Sequence, residues 1–396
     1  MKPIVQDNLK PHYSAFLKEG RLLLTGHSHQ AWPDVARRGL EQSFLDASEA
    51  VDDKWGKAFE KASRVQEEIA RRIGAHKDEI ALGTNTHELL VKFLSALPLK
   101  ERPHIVTTDG EFHSLYRQLC RLQNEGLQVT FVPTAPLDTL AERLAQSITE
   151  KTSALMVSTV LFETSAVVPN LKHAVEKAFQ VGAEVFLDLY HAFSAMPVRL
   201  SNYGDGPVFA VGGGYKYAQW GEGVCFLRVP PGFRKTPVVT GWFSDFEHLH
   251  EPRQERVVHY GTRGADVFAG STYEPASHYR AVEVIRFFEE QGLTLEALRA
   301  LSLRQTRQLL DGLSEYEVLT PQEDAARGAF VSVRTPHAAR CVEDLRERNI
   351  FVDARGDILR LGPAPYVSFA ELDRALGEIR TLLRAAPLEK ARPGRP

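Results

Sequence analysis

Seven short apolar runs, alternating with amphipathic stretches, constrain this chain more than any other feature. The runs fall at residues 80–82, 104–108, 128–132, 154–159, 184–188, 208–211 and 224–228, and helical periodicity marks 33–47, 58–73, 88–96, 114–123 and 137–148. Strand-like runs alternating with helical ones predict an α/β fold, a largely parallel sheet covered by helices. After Pro275 the texture changes. A long helical stretch at 277–291 leads into helical segments up to residue 313. A short strand follows at 329–333, then a helix at 338–346, a strand pair flanking Arg355 and a last helix at 369–384. That outline predicts a smaller C-terminal α/β domain. The tail KARPGRP is basic and rich in Pro and Gly, the composition of a disordered segment.

Two strand ends carry chemistry. The run EVFLD ends on Asp188, with His191 three residues later, and the next run leads into GGGYKYAQWGEG, with Lys216 between two tyrosines. A strand-end Asp is often only a cap or turn residue, and most lysines are solvated. Lys216, however, sits in an apolar, glycine-rich setting where a surface lysine is out of place. Glycines there permit close approach of backbone or unusual φ values. An acid and a lysine on successive strand ends, 28 positions apart, are what a pyridoxal phosphate (PLP) enzyme requires. The lysine forms a Schiff base with the cofactor, and the carboxylate keeps the pyridine nitrogen protonated so that the ring accepts electrons.

Composition agrees with a soluble metabolic enzyme. At 396 residues and 43% hydrophobic, the chain suits about two domains with a large core. A net charge of −3 and a pI near 6.6 argue against nucleic-acid or membrane-surface partners. Cys120, Cys225 and Cys341 are scattered without metal-ligand spacing, which excludes a zinc site and a disulfide framework; they read as reduced core thiols. The N-terminus lacks an apolar signal core, and no run approaches eighteen apolar residues. The expectation is a cytoplasmic protein. Further features fall where a PLP site needs them. The turn GTNTHELL opens a helix after a short strand, so Gly83 and Thr84 suit a phosphate, although Thr84 equally serves as a cap. Phe112 lies past a strand end, placed either to stack on a ring or to fill core.

These residues carry a resemblance. The chain is similar to the class V aminotransferase group of fold-type-I PLP enzymes, and within it most like kynureninases, over nearly its whole length. The anchors are TGHSHQAWP, DLYH, GGGYKY, TGWF at 240–243, FAGSTYEP at 268–275 and LRLGPAPYVSF at 359–369. The resemblance implies a mostly parallel seven-stranded sheet in a large domain at 41–275, and a small domain at 276–385. It also implies an N-terminal arm, 1–40, joining the small domain, and leaves 386–396 as a disordered tail. The cofactor would be pyridoxal 5′-phosphate in a homodimer with shared active sites. Lys216 would be the Schiff-base lysine, Asp188 the pyridine partner with His191 beside it, and Phe112 the stacking ring. Gly83, Thr84, Tyr215, Trp242 and Thr272 would hold phosphate, some of them from the neighbouring subunit, and Ser158 would contact the cofactor. Arg360 would bind the substrate α-carboxylate through a bidentate pair, with His27, Ser28 and Trp55 lining the substrate pocket.

The resemblance has gaps. Where kynureninases carry a tyrosine thought to donate a proton, this chain reads STVLFETSAVVPN, with Phe162 and Glu163. Either Glu163 is buried, its pKa raised, and supplies the acid, or it is a solvated loop residue. Leu115 replaces an aspartate, and the family's substrate-contacting histidine has no counterpart near Trp55. The implied activity is hydrolysis of Cβ–Cγ in L-kynurenine or a related γ-keto amino acid, giving L-alanine and an aromatic acid. The alternative is a class V aminotransferase or a Cβ–S lyase.

Overall fold

The computed structural model describes residues 4–204, 206–248, 251–252, 256–262 and 264–385. The first strand, β1 (Leu22–Leu23), stands apart from a seven-stranded sheet made of β2 (Ile80–Gly83), β3 (His104–Thr108), β4 (Gln128–Val132), β5 (Thr152–Ser158), β6 (Glu184–Asp188), β7 (Val208–Gly213) and β8 (Cys225–Arg228). Its order is β2-β8-β7-β6-β5-β3-β4. The run from β7 to β4 is parallel, and only β8 and β2 pair antiparallel. Every residue of β3, β5 and β7 is buried. Continuous apolar strands such as TSALMVS are what a parallel sheet covered on both faces demands.

The chain order reverses between β3 and β5, since β4 lies outside β3 while β6 and β7 lie beyond β5. A crevice opens outside the carboxyl ends of strands at such a switch point and is the usual ligand site of open α/β sheets. Ser158 ends β5 and Asp188 ends β6, as register partners. Phe112 follows β3, and Lys216 follows β7. The glycines of GGGYKY serve close packing against side chains: a Cβ at Gly213 would lie 2.3 Å from the Tyr190 hydroxyl, and one at Gly214 would lie 2.4 Å from the Trp220 ring.

The C-terminal part forms a three-stranded antiparallel sheet in the order β11-β12-β9, from β9 (Val331–Arg334), β11 (Asp353–Arg355) and β12 (Ile358–Leu361), while β10 (Ile350–Phe351) pairs in parallel with β1. The helix Ala36–Ala50 packs on the helix Ala276–Glu290. Gly39 allows this approach, because a Cβ there would meet the Tyr279 carbonyl oxygen at 2.5 Å, and the Tyr279 hydroxyl donates to Asp46 at 2.9 Å.

Three expected strands, at 104–108, 128–132 and 184–188, match their observed bounds, and the other four of the main sheet shift by one or two residues at an end. The helix Lys172–Gln180 was not foreseen, since its buried face is only Ala174, Val175 and Ala178. The pair β1/β10 also escaped, because two-residue strands carry no period. The expected tail at 386–396 lies outside the described residues.

Candidate active site

The sheet crevice ends in a cavity of about 230 Å³ lined by residues that include Phe112, Ser158, Asp188, His191, Tyr215 and Lys216. Lys216 is 4% exposed. Its Nζ lies 2.9 Å from His191 Nε2, and among the described residues no carboxylate comes within ion-pair distance of it. Aromatic faces surround the amine instead, with ring centroids of Tyr190 at 4.6 Å, Phe112 at 5.4 Å and Tyr215 at 5.7 Å. Burial lowers the Lys216 pKa to about 7, with the charge of Arg360 acting in the same direction and Asp188 opposing it. His191 is held well below its usual pKa, first by burial and then by Lys216 and Arg360. The imidazole is therefore neutral and shares one hydrogen bond with the Lys216 amine through Nε2, while Nδ1 is a buried atom without a hydrogen-bond partner among the described residues.

Asp188 accepts the backbone N–H of Tyr190 at 2.7 Å. Burial pushes its pKa up, against the pull of that N–H and of Lys216. Beside it, Ser158 is tied to a residue that the sequence reading passed over. Glu111, immediately before Phe112, is 3% exposed. It accepts the Ser158 hydroxyl at 2.5 Å, the Ser158 N–H at 3.0 Å and the Thr108 hydroxyl at 2.6 Å. Its only outward sign in the sequence is an acid between a strand end and an aromatic residue.

The other end of the cavity meets the start of the helix Thr86–Ser95. Thr84, Asn85 and Thr86 line it, and Asn85 caps the helix by accepting the Glu88 N–H at 2.8 Å. N–H groups at a helix start favour an anion. Thr84 donates to Glu88 at 3.0 Å. Gly83 lines a second cavity of about 450 Å³, which shares Thr84 and Gly223 with the first and is walled by Phe59, Phe243 and Tyr273. Trp55 packs on these three rings without reaching either cavity.

Other expected site residues stand elsewhere. Glu163 is exposed, and among the described residues its carbonyl accepts from the Ser332 hydroxyl. The burial that would make it an acid at neutral pH is absent, because the turn after Phe162 directs it outward. Arg360 was expected to present an open fork. It is 2% exposed, with Nε and Nη2 on the two oxygens of Asp353 at 2.9 and 2.5 Å and Nη1 on the Phe162 carbonyl at 2.7 Å. A buried guanidinium needs such a counter-charge. His27 is also removed from direct contact. It binds Asp353 at 2.8 Å, stacks on Phe330 at 4.7 Å, and is held by burial at a pKa of about 4. Burial works against the Asp353 charge, but His27 and Arg360 outweigh it and keep its pKa well below the usual carboxylate range. Ser28 donates to the Thr25 carbonyl and holds a turn. Trp242 and Thr272 are exposed and line neither cavity.

These groups fit pyridoxal phosphate. A buried lysine with no carboxylate at ion-pair distance among the described residues, and a pKa lowered to about 7, is an amine that could attach a carbonyl covalently. An acid at the next strand end, a face-on phenylalanine and a helix start at the far end match a pyridine nitrogen, a ring and a phosphate.

Residues 296–379 match the family described as Kynureninase C-terminal domain. The chain is 30% identical to a kynureninase of Deinococcus radiodurans, over 87% of this chain and 82% of the relative. It is 27% identical to a kynureninase of Pseudomonas fluorescens, over 94% of this chain and 93% of the relative. Among solved structures, the apo cysteine desulfurase from Thermococcus onnurineus NA1 superposes with a TM-score of 0.80 at 18% identity, covering 98% of this chain and 99% of that one. A C-DES mutant with glycine covalently linked to its PLP cofactor gives a TM-score of 0.80 at 17% identity, over 93% and 98%. Likeness at that level of identity speaks for the fold.

Two outcomes follow from the geometry. Borohydride treatment of protein loaded with pyridoxal phosphate should fix the cofactor mass to the peptide carrying Lys216, and Lys216→Ala should lose that adduct; an adduct on another lysine would refute the assignment. Arg360→Ala should destabilise the fold by about 1–3 kcal/mol in denaturant unfolding, because Asp353, partly buried, loses its bidentate partner and keeps only His27 and Arg355. An unfolding free energy within about 0.5 kcal/mol of wild type would show that the pair is dispensable.

Proposed function

The chain belongs to the kynureninase family, and from that premise we propose that it hydrolyses the Cβ–Cγ bond of L-kynurenine or a related γ-keto amino acid to L-alanine and an aromatic acid. The enzyme is a hydrolase that cleaves a carbon–carbon bond and uses pyridoxal 5′-phosphate. The observation that carries the reading is the buried, uncompensated amine of Lys216 facing Asp188 across one cavity. When bound, pyridoxal phosphate supplies an electron sink for the charge that develops at the substrate Cα.

The chain's own residues supply the rest. With a pKa of about 7, the Lys216 amine exists in both protonation states near neutrality, so it can take a proton from Cα and return it. His191, neutral and 2.9 Å away, shares a hydrogen bond with that amine and holds it in the cavity. Asp188 would keep a proton at the pyridine nitrogen, Phe112 would cover one face of the ring, and Thr84, Asn85 and Thr86 would hold the phosphate at the helix start. The substrate carboxylate meets Arg360 with Arg355 on the adjoining strand; Arg355 is 3.5 Å from Asp353 and acts electrostatically on Lys216. Binding there exchanges part of Asp353's hold on the guanidinium for the substrate's carboxylate.

A homodimer accounts for the residues that reach neither cavity. Trp242 is exposed and packs on the exposed Phe246 at 5.9 Å, and Val238, Val239, Val257 and Val258 are exposed as well, apolar side chains that a second copy would cover. Trp242 and Thr272 would then contribute to the partner's phosphate site. We expect a cytoplasmic enzyme; no helix among the described residues is long and apolar enough to cross a membrane. The persulfide-forming desulfurase alternative loses support because Cys341 is buried within the helix Ala338–Glu347.

Incubation of the holoenzyme with L-kynurenine should release alanine and anthranilate in equal amounts; transamination or no turnover would overturn the reading. Glu163→Gln should leave turnover and its pH profile unchanged, since the side chain is in solvent. A loss of about 10²–10⁴-fold, the size of a missing general acid, would contradict that placement.

A further inference from the structure

Ser158 faces the cofactor cavity, yet its donors point away from it. A serine hydroxyl has one hydrogen, and here that hydrogen goes to Glu111 Oε2 at 2.5 Å, while the Ser158 N–H lies 3.1 and 3.0 Å from the two Glu111 oxygens. Thr108 donates its own hydroxyl to Oε1 at 2.6 Å. All of these neighbours donate to Glu111, so the pocket around it is built for a carboxylate that only accepts. Glu111 does not itself line the cavity; Ser158 does, next to Asp188 in the strand register.

We propose that Glu111 is a positioning residue that locks Ser158 as a hydrogen-bond acceptor toward the cofactor, so that a ring N–H or O–H of the cofactor must donate to it. The inference rests on the pyridoxal phosphate reading of the cavity. Two acceptors, the Ser158 oxygen and the Asp188 carboxylate, then stand side by side at the ends of β5 and β6. Asp188 would then favour a protonated ring nitrogen, the form that accepts electrons, and Ser158 a protonated ring hydroxyl. Burial raises the Glu111 pKa to about 7 against the donors from Ser158 and Thr108, and Asp188 raises it further. The two acids therefore compete for charge, and the three hydrogen-bond donors are what keep Glu111 able to hold Ser158.

Glu111 also ties two parts of the ring site together. It precedes Phe112 in sequence and grips β5 by hydrogen bond, so the stacking face and the strand end move as one unit. Replacement by glutamine preserves the shape but puts an amide donor where an acceptor stood. One neighbour must turn, and the hydroxyl of Ser158 is free to turn toward the cavity and donate.

The test uses the full-length holoenzyme and free pyridoxal phosphate as the probe. Glu111→Gln should shift the visible absorption band of the bound cofactor and raise its dissociation constant by roughly tenfold, in the range of a lost charge-assisted hydrogen bond. Ser158→Ala should shift the band as well. Adding Glu111→Gln to Ser158→Ala should change neither band nor affinity further. An unshifted band in Glu111→Gln would overturn the inference. So would a shift that adds in full on the Ser158→Ala background, which would show Glu111 acting on the ring by charge alone. Should the glutamine variant fail to fold, Ser158→Ala alone decides, with an unchanged band overturning the inference. A wild type that takes up no pyridoxal phosphate would remove the cofactor reading itself, an outcome distinct from an unshifted variant.

Discussion

A lysine amine placed in the protein interior without a carboxylate beside it is the constraint around which this structure is arranged. Isolated buried ammonium groups are costly enough that the proton is shed, and Lys216 is surrounded by three aromatic rings and a neutral imidazole. Keeping it there requires a rigid floor. The floor is the parallel sheet, whose β5, β6 and β7 are buried along nearly their whole length. It also requires a chain that turns immediately after β7, which Gly213 and Gly214 permit by letting backbone pass under Tyr190 and Trp220. The helix Ala276–Glu290 clamps that turn through Arg280, which donates to the carbonyls of Trp220 and Glu222.

The second organising interaction joins distant parts of the chain. Asp353 on β11 binds Arg360 on β12 and His27 from the N-terminal segment. Arg360 in turn holds the Phe162 carbonyl, and the Phe162 ring stands edge-on to Phe112 at 5.4 Å. A single partly buried carboxylate thus links the C-terminal sheet, the N-terminal segment and the wall of the cofactor cavity. Buried pairs of this kind contribute little net stability compared with apolar packing, but breaking one is expensive. Their value here is geometric. Arg360 and Arg355 line neither cavity, but their charges act on Lys216 and, after burial, depress its pKa.

Much of this was legible in the sequence because strands buried on both faces leave continuous apolar runs, and because chemistry sits where those runs end. Asp188, Lys216, Phe112, Ser158 and His191 were read as a site and do line one cavity. What was illegible depended on contacts between remote segments. Arg360 sits in an apolar stretch that signals burial, but nothing in it says that Asp353, seven residues earlier, would take the fork. Glu163 lies beside Leu161 and Phe162, both buried, yet the turn sends its side chain to solvent. Glu111 carries no motif, and its importance appears only when β3 and β5 are seen to be neighbours. Asn85 and Thr86 were hidden because the helix begins two residues before its apolar period does.

The central claim is that the cavity lowers the Lys216 pKa until the amine exchanges its proton near neutral pH. Direct titration of the Lys216 Nζ by NMR in the cofactor-free protein tests it most closely. The structure requires a midpoint of about 7. A midpoint in the ordinary lysine range, near about 10.4, would mean that the amine is solvated or paired, and the account built on its burial would fail.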